Sequence, residues 1–446
     1  MTKLVQVGFE ASDLKNMVAD ILEEAKRQGA TSAEVDVSVN KGFNVTVRKG
    51  DVETVEYNQD KAIGIDVFFG KRSGSASITD VRPEAIKAAV KAACNIARFT
   101  DEDEYAGLAE KELLAFNYPT LELAFPWSVT VEEAIALAKQ CEAEALAQDK
   151  RLTSEGASIS TGQVCHAYGN SNGFIGAVPV TRHEISCVMI AKKGEDMQRD
   201  HSYTVSCDPG LLESLSTVAH EAAHRTLKRL GARRLTTRRV PVIFAAEEAR
   251  SLLGHFVSAI SGGSLYRKSS FLLDHLDKQV FPSHISMDER PFLAKALGSS
   301  PYDDDGVATR PNVFIADGIL KSYVLGVYSA RKLGMKSTGN SGGVHNLFIK
   351  TGNNNLSGLL KKMGTGLLVT ELMGQGVNII TGDYSRGCSG FWVENGEIQY
   401  PVEEITIAGN LRDMYLHLVE VGNDVDKRGN IQTGSILLDH MTIAGD

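Results

Sequence analysis

Residues 33–80, AEVDVSVNKGFNVTVRKGDVETVEYNQDKAIGIDVFFGKRSGSASITD, alternate apolar and polar side chains almost without interruption. Period-two alternation puts one apolar face on a sheet and is incompatible with a helix. The alternation is punctuated at Lys41-Gly42, Lys49-Gly50-Asp51, Gly70 and Gly74. It therefore predicts four or five antiparallel strands joined by short turns.

Helical spacing brackets these strands. Leu14, Met17, Val18, Ile21 and Leu22 form one stripe over 13–28, ahead of Gly29, and 82–98 carries Pro83 in its first turn. A third helix over 130–148 starts at Thr130, with Glu133 three residues on completing a capping box. Strands resume over 152–206, with YGNSNG (168–173) as a turn. Helix, sheet, helix, helix, sheet, helix is an α+β order and not the alternation of a doubly wound fold. Beyond residue 240 the chain is rich in glycine and strands, and Asp317-Gly318 and Asn395-Gly396 between apolar runs signal hairpins. At 446 residues the chain exceeds one ordinary core. We expect an N-terminal α+β domain over 1–232 and a β-rich, barrel-like domain over 233–446.

The formal net charge of −9 gives no general attraction to nucleic acid. The six scattered cysteines include no C-x-x-C pair, which suits a reducing compartment. No apolar run suggests a signal peptide or membrane span, and a cytoplasmic location is expected. Seven Arg or Lys residues between 225 and 239 read as a solvated helix end and connector.

One motif carries a chemical implication. His220-Glu221-Ala222-Ala223-His224 matches H-E-x-x-H, in which two imidazoles one helical turn apart hold zinc and the glutamate serves as general base. Glu247 or Glu248 is the available third ligand. However, a helix over roughly 209–230 has its apolar stripe at Leu211, Leu212, Leu215, Val218, Ala219, Ala222, Ala223 and Leu230. His220 and His224 fall opposite it, beside Glu213, Thr217 and Lys228, on a face expected to meet solvent. Glu247 also follows a strand-like run, RVPVIFAA, whereas thermolysin-like enzymes bring their glutamate on a second packed helix.

The segments GGSLYRKSSFLLD (262–274), SARKLGMKSTGNSGGVHNLFI (329–349), GTGLLVTELMGQGVNIITGDYSRGCSGFWVENGEIQYPVEEITIAGNL (364–411) and VGNDVDKRGNIQTGSILLDHMTIAG (421–445) closely resemble the PmbA/TldE branch of the TldD/PmbA family, once called modulators of DNA gyrase. The strands at 45–80 and YGNSNG resemble it too. The resemblance implies an α+β N-terminal domain and a β-rich C-terminal domain. It also implies a metallopeptidase in which a TldD-type subunit carries zinc on H-E-x-x-x-H with a C-terminal cysteine. That subunit pairs with a TldE-type subunit to degrade unfolded peptides and process peptide precursors.

The family's metal helix corresponds to FAAEEARSLLGHF. In one register Glu247 takes the glutamate position, with Ala246 and Ser251 at the histidine positions. In the other His255 survives, and Arg250 and Ser251 replace the His-Glu pair. The ligand cysteine corresponds to Val425 or its neighbours, while the last cysteine of the chain is Cys388. The resemblance thus implies a TldE-type subunit with no catalytic or metal residues of its own, zinc being held by a TldD-type partner. Gly382, Asp383 and Arg386, in the ITGDYSRG stretch read as a loop, are expected to line a shared peptide cleft. The alternative is an independent zinc peptidase using His220, Glu221 and His224. A nucleic-acid-binding role has only the basic run in its favour.

Overall fold

The computed structural model describes residues 10–445. The first half is one six-stranded antiparallel sheet in the order β3-β2-β1-β4-β5-β6, with β1 Ser32–Arg48, β2 Asp51–Phe69, β3 Arg72–Ile78, β4 Leu152–Asn170, β5 Ile175–Lys193 and β6 Asp196–Ser206. Helices α1 (Ala11–Arg27), α2 (Pro83–Phe99), α3 (Val131–Leu146) and α4 (Leu215–Lys228) roof it. Odd-numbered residues of β1 are buried along almost its whole length. Val35 and Val37 pack under α1 and α2, and Phe43, Val45 and Val47 under α3 and α4. The period-two pattern thus becomes a single helix-covered face. Thr130 accepts from the Glu133 amide at 3.2 Å and the Glu133 side chain returns the bond, so the capping box forms as expected.

The region 32–78 holds three strands and not four or five, because Lys41-Gly42 does not turn. Odd residues stay buried on both sides of Gly42, which a turn would have disrupted. Gly42 pairs with Gly162 of β4, and a Cβ there would come within 2.3 Å of the Thr161 carbonyl oxygen. This glycine serves close strand approach. The turn is one step on, at Lys49 (φ 54°) and Gly50 (φ 81°), whose amides donate to Glu142 of α3 at 2.6 and 2.7 Å. α4 is also shorter than expected. Residues 209–211 form a separate 3₁₀ turn, Leu212 is extended, and Ser214 caps the helix by accepting from the Thr217 amide at 3.1 Å.

The second half begins with β7 (Arg238–Phe244) and α5 (Ala246–Ala259). A small sheet, β10-β9-β8-β11-β16, combines β8 Met287–Glu289, β9 Asn312–Ala316, β10 Ile319–Leu320, β11 Leu347–Ile349 and β16 Ile431–Gln432. The larger sheet has β12 Gly366–Met373, β13 Asp383–Glu394, β14 Glu397–Asn410, β15 Leu418–Val421 and β17 Ile436–Ala444. Its order β14-β13-β12-β7-β17 closes on itself where Thr406–Ala408 of β14 pairs with Thr442–Ala444 of β17, making a five-stranded barrel. Asp317-Gly318 and Asn395-Gly396 form their hairpins with both residues at positive φ. Among the described residues no helix is long and apolar enough to cross a membrane.

Candidate functional site

α5 leaves the barrel directly after β7. Ala249, Leu252, Leu253, Phe256 and Ala259 form its buried stripe, fixing which side chains are left for chemistry. Glu247 and Arg250 lie on one flank. Glu248, Ser251 and His255 lie on the other.

The first flank meets the helix-roofed sheet in a seam of arginines and carboxylates. Arg225 of α4 pairs with Glu247 and, at 3.3 Å, with Asp200 of β6. Arg428 reaches Glu247 at 2.9 Å and Asp426 at 2.9 Å, and lies over the Tyr203 ring at 4.4 Å. Arg250 pairs with Asp426 at 3.5 Å and donates to the Tyr203 hydroxyl at 3.2 Å. Arg229 joins Asp200 at 3.5 Å and Glu371 at 2.5 Å. Burial opposes the charge of Glu247, but Arg225 and Arg428 outweigh it and hold the carboxyl below its ordinary range. Asp200, Arg225, Arg229, Glu247, Arg250 and Glu371 of this seam line a cavity of about 130 Å³.

Glu248 has no ion-pair partner among the described residues. Burial, reinforced by Glu247 and Glu371 and opposed by Arg386, raises its pKa to about 7. Ser251 donates to the Glu248 carbonyl oxygen at 2.8 Å, one turn back on its own helix. Burial lowers the pKa of His255, whose ring lies 6.1 Å from that of Tyr384. Among the described residues, neither the buried His255 Nε2 nor the buried Tyr384 hydroxyl has a hydrogen-bond partner. Cys388 is fully buried, and burial pushes its thiol up to about 12. Among the described residues no three His, Cys, Asp or Glu side chains are arranged to share a metal ion.

The H-E-x-x-H helix sits across the seam. His220, Glu221 and His224 are exposed, as their position opposite the apolar stripe requires; the Glu221 and His224 side chains are 51% and 57% accessible. Glu221 and His224 do not face only open solvent. They line a cavity of about 590 Å³ whose far wall is Leu368, Phe391, Ile398 and Tyr400 of the barrel. Glu247 lines it too, on the helix that follows β7, as the family resemblance implied. It is held there by the two arginines.

Gly382 takes φ 84° in the turn entering β13, and Asp383 opens that strand, accepting from Thr381 at 2.7 Å and Asn410 at 3.2 Å. Arg386 is on β13 and not on a loop; its Nε donates to the Gly374 carbonyl at 3.0 Å. The turn glycine misled the reading, since pairing resumes immediately at Asp383–Asn410. In the basic run, Arg225, Arg229 and Arg234 pair with carboxylates, and Arg233 and Arg238 lie over Tyr400 and Trp392. Sequence reading missed Asp200, Tyr203, Asp426 and Arg428. The KRGN stretch containing Arg428 was visible, but nothing local ties it to partners 181 and 225 residues away.

A helix-roofed sheet joined through such a seam to a closed five-stranded barrel, with a helix springing from β7 at the junction, defines an α+β protein. Family models for the first, central and C-terminal domains of the PmbA/TldA metallopeptidases match residues 33–97, 125–230 and 237–445. The chain belongs to the PmbA/TldD metallopeptidase family. It is 51% identical to the metalloprotease PmbA of Escherichia coli O157:H7 over 446 residues, covering 100% of this chain and 99% of that protein. It is 48% identical to the PmbA homolog of Haemophilus influenzae, covering 98% and 97%. A TldD homolog of Buchnera aphidicola (from Acyrthosiphon pisum) is 23% identical over 87% of each chain. The crystal structure of a proposed modulator of DNA gyrase from Bacteroides thetaiotaomicron superposes with a TM-score of 0.92 at 26% identity, covering 98% of this chain and 100% of that one.

Proposed function

We propose that this chain is the TldE-type subunit of a two-subunit metallopeptidase, holding no zinc of its own and completing the peptide cleft of a zinc-bearing TldD-type partner. The observation that carries this reading is the state of α5. Where the family places its first histidine, Arg250 is ion-paired to Asp426 and bonded to Tyr203. Where it places the glutamate, Ser251 is turned back onto its own helix. In the other register, Glu247 is clamped between two guanidinia. Burial and, after it, the charge of Arg386 lower the pKa of the one surviving imidazole, His255, and that charge opposes a dication there. The donor set does not fit zinc, and no catalytic step is assigned to this chain.

What it supplies is surface. The larger cavity has an apolar barrel wall and a polar α4 wall, suited to an extended peptide with mixed side chains. Gly382, Asp383 and Arg386 shape the turn into β13 and the start of that strand, and the charge of Arg386 opposes the raised pKa of Glu248. Unfolded peptides in the cytoplasm are the substrate class this reading assigns to the complex.

A second reading, an independent zinc peptidase, is favoured by one observation: Glu221, His224 and Glu247 line the same cavity. Elemental analysis of the chain purified alone separates the two. No stoichiometric zinc is expected. About one tightly held zinc per chain, lost in His224→Ala, would establish the second reading instead.

A further inference from the structure

Among the described residues the six-stranded sheet of the first half is incomplete along one edge. β2 runs from Asp51 to Phe69, but β3 pairs only with Ile63–Phe69. Among the described residues the strand along 51–60 is paired on its β1 side alone, with a bulge at Glu53. All ten of these residues are exposed. At about 3.3 Å per residue this is roughly 33 Å of strand edge offering backbone donors and acceptors. It contains no proline or glycine to break up an added strand.

Its side chains state a preference. Asp51, Glu53, Glu56 and Asp60 place four carboxylates, and no lysine or arginine, within ten residues. Glu53 pairs with Arg48 at 3.2 Å, and the other three have no ion-pair partner among the described residues. Val52, Val55 and Tyr57 are 42%, 36% and 59% accessible, and Val55 and Tyr57 share the face that carries α3 through their partners Val45 and Phe43. Three half-exposed apolar side chains are far short of a permanent subunit interface, which buries about 2,000 Å² around an apolar centre. A second copy would lay four more carboxylates along the first four. Strand addition by an unfolded chain needs neither an apolar centre nor a fixed sequence.

We infer that the free edge of β2 over residues 51–60 captures extended, lysine- or arginine-bearing stretches of unfolded polypeptide as an additional strand of the six-stranded sheet. This rests on the reading of the chain as part of a peptide-degrading complex, and it adds a docking site away from the cleft. β2 and β6 are separated by β1, β4 and β5, so the edge stands about 19 Å from the strand that carries Asp200 and Tyr203. Its occupancy can therefore be measured on this chain alone, without zinc or partner.

The probe is a fluorescein-labelled ten-residue peptide, KTVKTVKTVK, titrated with the purified chain and read by anisotropy. Saturable binding is expected, at least about 10-fold weaker for the glutamate counterpart ETVETVETVE and for a Glu53→Gln, Glu56→Gln, Asp60→Asn variant. Thr54→Pro and Val55→Pro form a second pair, because adjacent strand residues direct their N–H groups to opposite sides. One of the two keeps the β1 ladder, folds by circular dichroism, and should lose peptide binding. Absence of saturable binding, or equal binding of both peptides, would overturn the proposal. So would a triple variant that keeps peptide affinity but fails to assemble with a TldD-type subunit, which would make this edge a subunit contact. Failure of the accessory-subunit reading would register separately, as zinc in the purified chain.

Discussion

Glu247 is the residue that two metal readings of this chain share. It is the glutamate of one family register, and it shares a cavity with Glu221 and His224. In the structure its carboxylate instead joins the two halves of the molecule through Arg225 and Arg428. The three side chains are 16%, 19% and 26% accessible, so little water is available to replace the lost partner in Glu247→Gln. Removing one member of a buried pair costs about 3–5 kcal/mol when the remaining charge is stranded. Here Arg225 keeps Asp200 at 3.3 Å and Arg428 keeps Asp426 at 2.9 Å, so we expect a smaller loss of about 2–3 kcal/mol. For domains of about 200 residues that lowers the melting temperature by roughly 4–12 °C. The sign with pH follows from the depressed carboxyl. Its contribution is present above the ordinary carboxylate range and disappears as pH falls through the lowered value. Differential scanning calorimetry of both proteins from pH 3 to 8 should show curves that separate above about pH 4–5 and converge below. Equal melting temperatures at pH 7, combined with loss of bound zinc on substitution, would refute the structural role and make Glu247 a ligand.

Other expectations follow from the same geometry. His220→Gln with His224→Gln should change stability by no more than about 0.5 kcal/mol, because both rings are exposed; a larger change in chemical denaturation would mean that they hold something. Glu248 has its pKa raised from 4.5 to about 7, so the stability it permits at low pH is lost as pH rises through 7. Glu248→Gln should therefore match the wild type near pH 4.5 and exceed it by about 2–3 kcal/mol at pH 8.5, and a constant difference across that range would contradict the burial argument. Thr130→Ala, which removes the cap of α3, should cost about 1 kcal/mol in urea unfolding; no change would mean that the capping box contributes nothing in this context.

Local chemistry was legible wherever one short segment carried the whole signal. The Thr130–Glu133 box and the Asn395-Gly396 and Asp317-Gly318 turns needed no distant partner, and each formed where the pattern placed it, whereas the stripe of α4 lost Leu211 and Leu212 to a separate turn. Gly42 shows the limit. A glycine in alternating sequence signals either a turn or a close approach, and only Gly162, 120 residues away on β4, decides between them. Arg386 failed similarly, because the ladder from Asp383 to Asn410 starts the strand sooner than a glycine-led stretch suggests. The seam was least visible. Arg225, Glu247 and the Asp426–Arg428 stretch lie on separate segments, and their pairing depends on how the barrel docks against β6. Family resemblance located α5, but only the side-chain geometry shows its polar positions committed to arginine partners.

The most direct test of the account is a reconstitution. A TldD-type subunit with its metal-site glutamate replaced is mixed with this wild-type chain, beside a control in which both are wild type, and cleavage of an unfolded polypeptide is followed. The account expects hydrolysis in the control and none in the mixture, since the second subunit brings surface and no metal chemistry. Hydrolysis restored by this chain in the presence of the inactive partner would contradict it.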